Sequence, residues 1–201
     1  LDFLPFTLHT RDSLSMRLDD KFIPSILNDL SSQYEFIITD SGRAFTQLLV
    51  SYLEQANLIL LVVNPDVLSV AQAKEAIEIL QSFYFPLKMV RAILNRAESL
   101  GGATWRDVKT ALPCDIIARI PSEGRIIGSA LNRQNPVVLD NPRCRASIAL
   151  RNLAQDLVTR PELFISHQEL QKILASHAQT EAKELLKGIT STILPPLLEG
   201  H

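Results

Sequence analysis

Residues 57–64 read NLILLVVN, six apolar side chains in a row between two asparagines. The run is far shorter than the roughly 18 residues of a membrane span. It also lacks the polar alternation of a half-solvated strand. It reads as the clearest buried strand of the chain. Outward from it, strand-like and helix-like segments alternate, the pattern of a parallel sheet with helical crossovers.

On the N-terminal side, LDFLPF (residues 1–6) and EFIIT (35–39) read as strands. Between them Ile23, Ile26, Leu27 and Leu30 fall at helical spacing, with Asp19 and Asp20 at the positive end of that helix. Phe45 to Leu53 reads as a short helix. On the C-terminal side a helix follows Pro65 and Asp66 and turns Val70, Ala73, Ile77 and Leu80 inward. KMVRAILN (88–95) and CDIIARIP (114–121) read as further strands, separated by a short helix around Trp105 to Leu112. Helices from Glu123 to Asn132, packing Ile127, Ala130 and Leu131, and from Arg145 to Val158 complete the layers. The predicted fold is α/β, a parallel sheet with helices on both faces.

After Pro161 the character changes. Ser166 to Lys187 is one amphipathic segment with Leu170, Ile173, Leu174, Ala178, Leu185 and Leu186 on a common side, ended by Gly188 and Pro195–Pro196. The expected domains are therefore 1–164, the α/β domain, and 165–198, a helical extension or linker. The last three residues, Glu199 to His201, resemble the start of a purification tag. Leu1 opens directly in an apolar stretch with no initiator Met, so a piece of a longer protein is expected.

Composition bounds the function. Of 201 residues, 46% are hydrophobic and 21% charged, ordinary for a globular chain. A formal net charge of −2 gives no electrostatic reason to expect nucleic acid or membrane as partner. Cys114 and Cys144 form no close-spaced pair, which argues against zinc and for buried thiols in a reducing compartment. With no signal-peptide pattern, the expected location is the cytoplasm.

Asp40 follows the EFIIT stretch, where open α/β sheets bind ligands. One carboxylate there can hold Mg²⁺ directly or through water; it can equally cap the following turn. Asn95, in ILNR (93–96), can meet a purine edge with the donor and acceptor of its amide, or simply terminate a strand. Pro121, Ser122 and Glu123 lead from a strand into a helix and can close over a base or ribose. The decisive part is missing from this sequence. A P-loop, G-x-x-x-x-G-K-[ST], cradles phosphates with backbone N–H groups and a lysine, yet none of the seven glycines is followed by Lys-Ser or Lys-Thr. The four histidines are scattered and no G-x-S-x-G is present.

Taken in order, YEFIITD (34–40), LEQANLILLVVNPD (53–66), AILNR (92–96) and the stretch from Ile120 to Ala154 resemble the C-terminal two-thirds of the MinD/ParA superfamily of deviant P-loop ATPases. The branch they look like is the CpaE/TadZ type of pilus-assembly and secretion systems. The resemblance implies a partial P-loop NTPase-like fold. It implies that Asp40 is the Walker-B-like, catalytic and Mg²⁺-binding aspartate, and that Asn95, Arg96, Pro121, Ser122 and Glu123 form the adenine side. It further implies ATP with Mg²⁺ as cofactor once a P-loop is supplied upstream, a homodimer, and pilus or secretion-system proteins as partners. SGRAF (41–45) departs from the Pro-containing switch usual in that family. Without the P-loop, this chain alone is expected not to hydrolyse ATP. The alternatives are the nucleotide-binding part of an active ATPase whose P-loop lies upstream, and a receiver-like signalling domain, disfavoured because Asp40 lacks the early acidic neighbours that receivers need.

Overall fold

The computed structural model describes residues 2, 22–42, 45–99 and 101–193, with side chains to residue 180. The LDFLPF stretch apart from Asp2, and Asp19 and Asp20, thus lie outside the described residues. By its internal contacts the chain divides between Ala56 and Asn57 into two units.

In the first unit, α1 (Phe22–Ser31) and α2 (Gln47–Leu53) pack on each other. They bury Ile23, Leu49 and Leu53. Thr46 starts α2, its Oγ1 accepting from the Leu49 N–H at 3.2 Å. The predicted strand at 35–39 is not one; its residues have no regular secondary structure, and Ile38 is 88% exposed. A strand exists only through its ladder, and apolar composition by itself does not supply one.

The second unit holds a three-stranded parallel sheet in the order β1 (Ile59–Val63), β2 (Val90–Asn95), β3 (Asp115–Ile120). Val63 pairs with Leu94, and Leu94 with Arg119. The pairing of β2 with β3 shifts register between Ala92 and Ile93, leaving Ile117 as the extra residue. Helix α3 (Val67–Ser82) follows β1, α4 (Trp105–Ala111) precedes β3, and α5 (Gly124–Asn132), α6 (Val137–Asp140) and α7 (Arg145–Thr159) follow it. One face of the sheet is covered by α7: Ile93, Ile120, Ala146 and Leu153 form a buried cluster with Leu60, Ile117 and Ile127 packed against it. Ala92 and Leu94 alternate with Ile93 and are buried as well, so both faces of β2 are covered. Among the described strands it is β2, not β1, that is deepest: β1 lies at an edge and Val62 is 62% exposed.

Local chemistry sets the helix starts. The Asp66 carboxylate accepts from Ser69 N–H at 2.8 Å and begins α3. Thr104 and Asp107 form a reciprocal capping box at α4, and this holds the Asp107 carboxyl below the usual carboxylate range. Helix α5 keeps Ala130 buried, while Leu131, expected inside, is exposed. The four-residue α6, within the PVV stretch, was not legible as a helix; Asp140 at its end pairs with Arg133.

Helix α8 (His167–Ile193) continues through Gly188, where a stop was expected. Its start is tied down: Leu170 is fully buried, Glu169 pairs with Lys88, and the His177 ring stacks on Tyr84 at 4.4 Å. Just before it, Ile165 is held at two points by Asn57, whose side-chain Nδ2 donates to the Ile165 carbonyl at 2.8 Å. The Asn57 carbonyl in turn accepts from Ile165 N–H at 2.9 Å. No described helix is long and apolar enough to cross a membrane.

Candidate functional site

The carboxyl ends of β1 and β2 each present an asparagine. Asn95 Nδ2 donates to Asn64 Oδ1 at 3.2 Å, and the Asn64 N–H donates to Ser69 Oγ at 2.9 Å. Both asparagines are half-buried. The bond between them leaves Asn95 Oδ1, one Asn95 N–H and the Asn64 amide nitrogen without a partner among the described residues. Two adjacent backbones thereby offer a donor and an acceptor side by side at the edge of the sheet where open α/β folds bind ligands.

The loop leaving β2 is forced back sharply. Arg96 takes a left-handed backbone, φ 54°, uncommon for a residue with a Cβ. Its carbonyl then accepts from Ser99 at N–H (3.0 Å) and Oγ (2.8 Å). Ala97 N–H reaches the Ile120 carbonyl at 3.0 Å, which joins this loop to the one after β3. Ala103 N–H reaches the Pro65 carbonyl at 2.8 Å, which joins it to the one after β1. A Cβ on Gly102 would meet that same Pro65 oxygen at 2.8 Å, so only glycine allows the approach.

Beyond β3, Pro121 is half-buried and Ser122 is exposed. Glu123 sits at the α5 start without capping it. Its carboxylate instead accepts from Ala146 N–H at 2.7 Å, at the N-terminus of α7. That bond, helped by Cys144 and by Arg145, holds the Glu123 carboxyl below its ordinary range. Arg145 in turn pairs with Glu98 from the β2 loop. The structure therefore brings together Asn95, Arg96 and Pro121 to Glu123 through their loops. Asp40 lies in the first unit, exposed, two residues before Gly42 with its φ of 70°.

Sequence reasoning missed Asn64, Glu98 and Arg145. Asn64 carries the same signal as Asn95, an asparagine closing an apolar strand, and could have been found that way. The Glu123–α7 contact joins positions 23 residues apart and leaves no local pattern.

No protein-family model matches the sequence. The septum site-determining protein MinD of Thermotoga maritima is 30% identical over 139 residues, covering 65% of this chain and 49% of that one. The chain spans about half the length of the curated relatives it matches. Among solved structures, the ParA family ATPase from Chlorobium tepidum superposes with a TM-score of 0.69 at 20% identity, over 76% of this chain and 62% of that one. The MinC:MinD cell division protein complex of Aquifex aeolicus gives a TM-score of 0.58 at 28% identity, over 69% and 57%. With its parallel sheet flanked by helices and these likenesses, the chain has the fold of the MinD/ParA-superfamily ATPases.

Proposed function

We propose that this chain forms the adenine side of a ParA/MinD-like ATPase domain, acting as a localisation or assembly module in pilus biogenesis or type II/IV secretion. The observation that carries the nucleotide part is the Asn64–Asn95 amide pair, whose free donor and acceptor match the paired acceptor and donor on an adenine edge. Arg96 and Pro121 to Glu123 frame the pair from the two neighbouring loops. The triphosphate end does not fit this sequence, which has no glycine-lysine cradle, and no hydrolytic step is assigned to the chain. Asp40 is proposed to serve Mg²⁺ where a phosphate loop is supplied, the role its matching position implies. The pilus or secretion assignment rests on the run of stretches from Tyr34 to Leu157. Partners among those assembly proteins, and a homodimer, belong to the same reading, with residues 165–198 as its helical extension.

The adenine reading is tested by following the side-chain amides of Asn64 and Asn95 by NMR while adenosine or guanosine is added. Adenosine is expected to shift both signals and guanosine neither, and Asn95→Ala should abolish the response without changing the melting curve. Equal responses to the two nucleosides, or a response that persists in the variant, would sink it. The assembly role fails separately if deleting the gene leaves pilus assembly and secretion intact.

A further inference from the structure

A groove of about 360 Å³ runs along β3 on the side away from β2. Its floor is the strand itself, Ile116 to Arg119. One wall is α4, with Trp105 and Lys109; the other is α7, with Asn152, Leu153 and Asp156. Among the described residues β3 pairs only with β2, and in a parallel pair alternate residues turn their backbone N–H and C=O groups outward. An edge of that kind is a template for a further strand, and here it lies at the bottom of a slot between two helices.

The α4 wall is basic. Trp105 is 37% exposed, with the Arg119 guanidinium 5.0 Å and the Arg106 guanidinium 5.8 Å from its ring centroid. Lys109 stands one helical turn further on, on the same face as Trp105. None of Arg106, Lys109 and Arg119 has a carboxylate within ion-pair distance among the described residues. Of the acidic groups nearby, Asp107 is held in the capping box, Asp156 lines the α7 wall within 4.0 Å of Arg160, and Asp115 stands at the start of β3. The slot thus combines a strand edge without a second partner among the described residues, an aromatic platform, and the cations Lys109 and Arg119 on the α4 side, opposite Asp156 on α7.

We infer that this slot is a strand-addition site for an extended acidic segment of a partner protein. The segment extends the sheet past β3, and its alternate side chains face the two walls. Those facing α4 are carboxylates, received by Arg119 and Lys109; those facing α7 are small and apolar. Net charge concealed this patch, because Lys109 from α4 and Arg119 from β3 meet in one groove. The inference is independent of the nucleotide reading, since no residue of the asparagine pair lines the slot.

Trp105 is the one tryptophan of the chain and reports on its own site. The probe is an N-acetylated hexapeptide alternating glutamate with valine, titrated against the whole chain while Trp105 fluorescence is read. A saturable shift is expected. It should vanish when lysine replaces the glutamates, and weaken at least ~10-fold when alternate peptide nitrogens are methylated. Arg119→Glu should weaken it by a similar factor with an unchanged melting curve, and Lys109→Glu serves the same purpose if Arg119→Glu does not fold. The inference is overturned by absence of a saturable shift, by a methylated peptide that binds as well as its parent, or by a duplex DNA that moves Trp105 as much as the peptide does.

Discussion

β1 and β2, ILLVV and VRAILN, are neighbouring strands that live in different surroundings. In β2, Ala92 and Leu94 are at most 1% exposed and Ile93 is buried on the opposite face. In β1 only Val63 is buried, and Val62 stands 62% exposed. Apolar content does not account for the difference, since the wholly apolar ILLVV is the less buried of the two. Position decides: a strand with a neighbour on each side and helices above and below loses water on every surface, whereas a strand at the margin keeps some.

The largest expected effect separates the two directly. Leu94→Ala should cost about 3 kcal/mol in urea unfolding, since it leaves a void in a wall that cannot collapse. A loss below about 1 kcal/mol would mean that β2 is no better packed than its neighbour. A middle effect concerns the third strand, which is held through α7 and the Glu123 carboxylate. Because that carboxyl is depressed in the folded state, it stabilises the fold above the usual glutamate range and ceases to do so as pH falls through its lowered value. Glu123→Gln should therefore lower the melting temperature at neutral pH, and the difference from the parent should shrink steadily on acidification below that range. A pH-independent difference would show that the contact is not ionic. The smallest effect returns to the margin: Val62→Ala should change stability by less than about 0.5 kcal/mol. A larger loss would show that this face of β1 is covered in solution.

The layered core was legible because alternation between apolar runs and 3.6-residue spacing is a local signal, and Ala73, Ile77 and Leu80 all turn inward as read. EFIIT carried the same local signal and forms no strand, since ladder formation is decided by what lies alongside, which no window of five residues contains. The asparagine at the end of β2 was legible as a candidate; its partnership with Asn64 was not, because residues 31 positions apart meet only through strand register. The long helix was read to stop at Gly188. A single glycine costs a helix only about 1 kcal/mol, too little to end one by itself.

The two-point hold of Asn57 on Ile165 spans 108 positions of the chain. It joins the residue leading into the first strand to the residue leading into the long helix. In mechanical terms it is a latch. Tension applied through α8 meets the His177–Tyr84 stack and the Glu169–Lys88 pair beside β2, and then the Asn57 hold beside β1. A pull along that helix would therefore load the starts of the marginal and the central strand together.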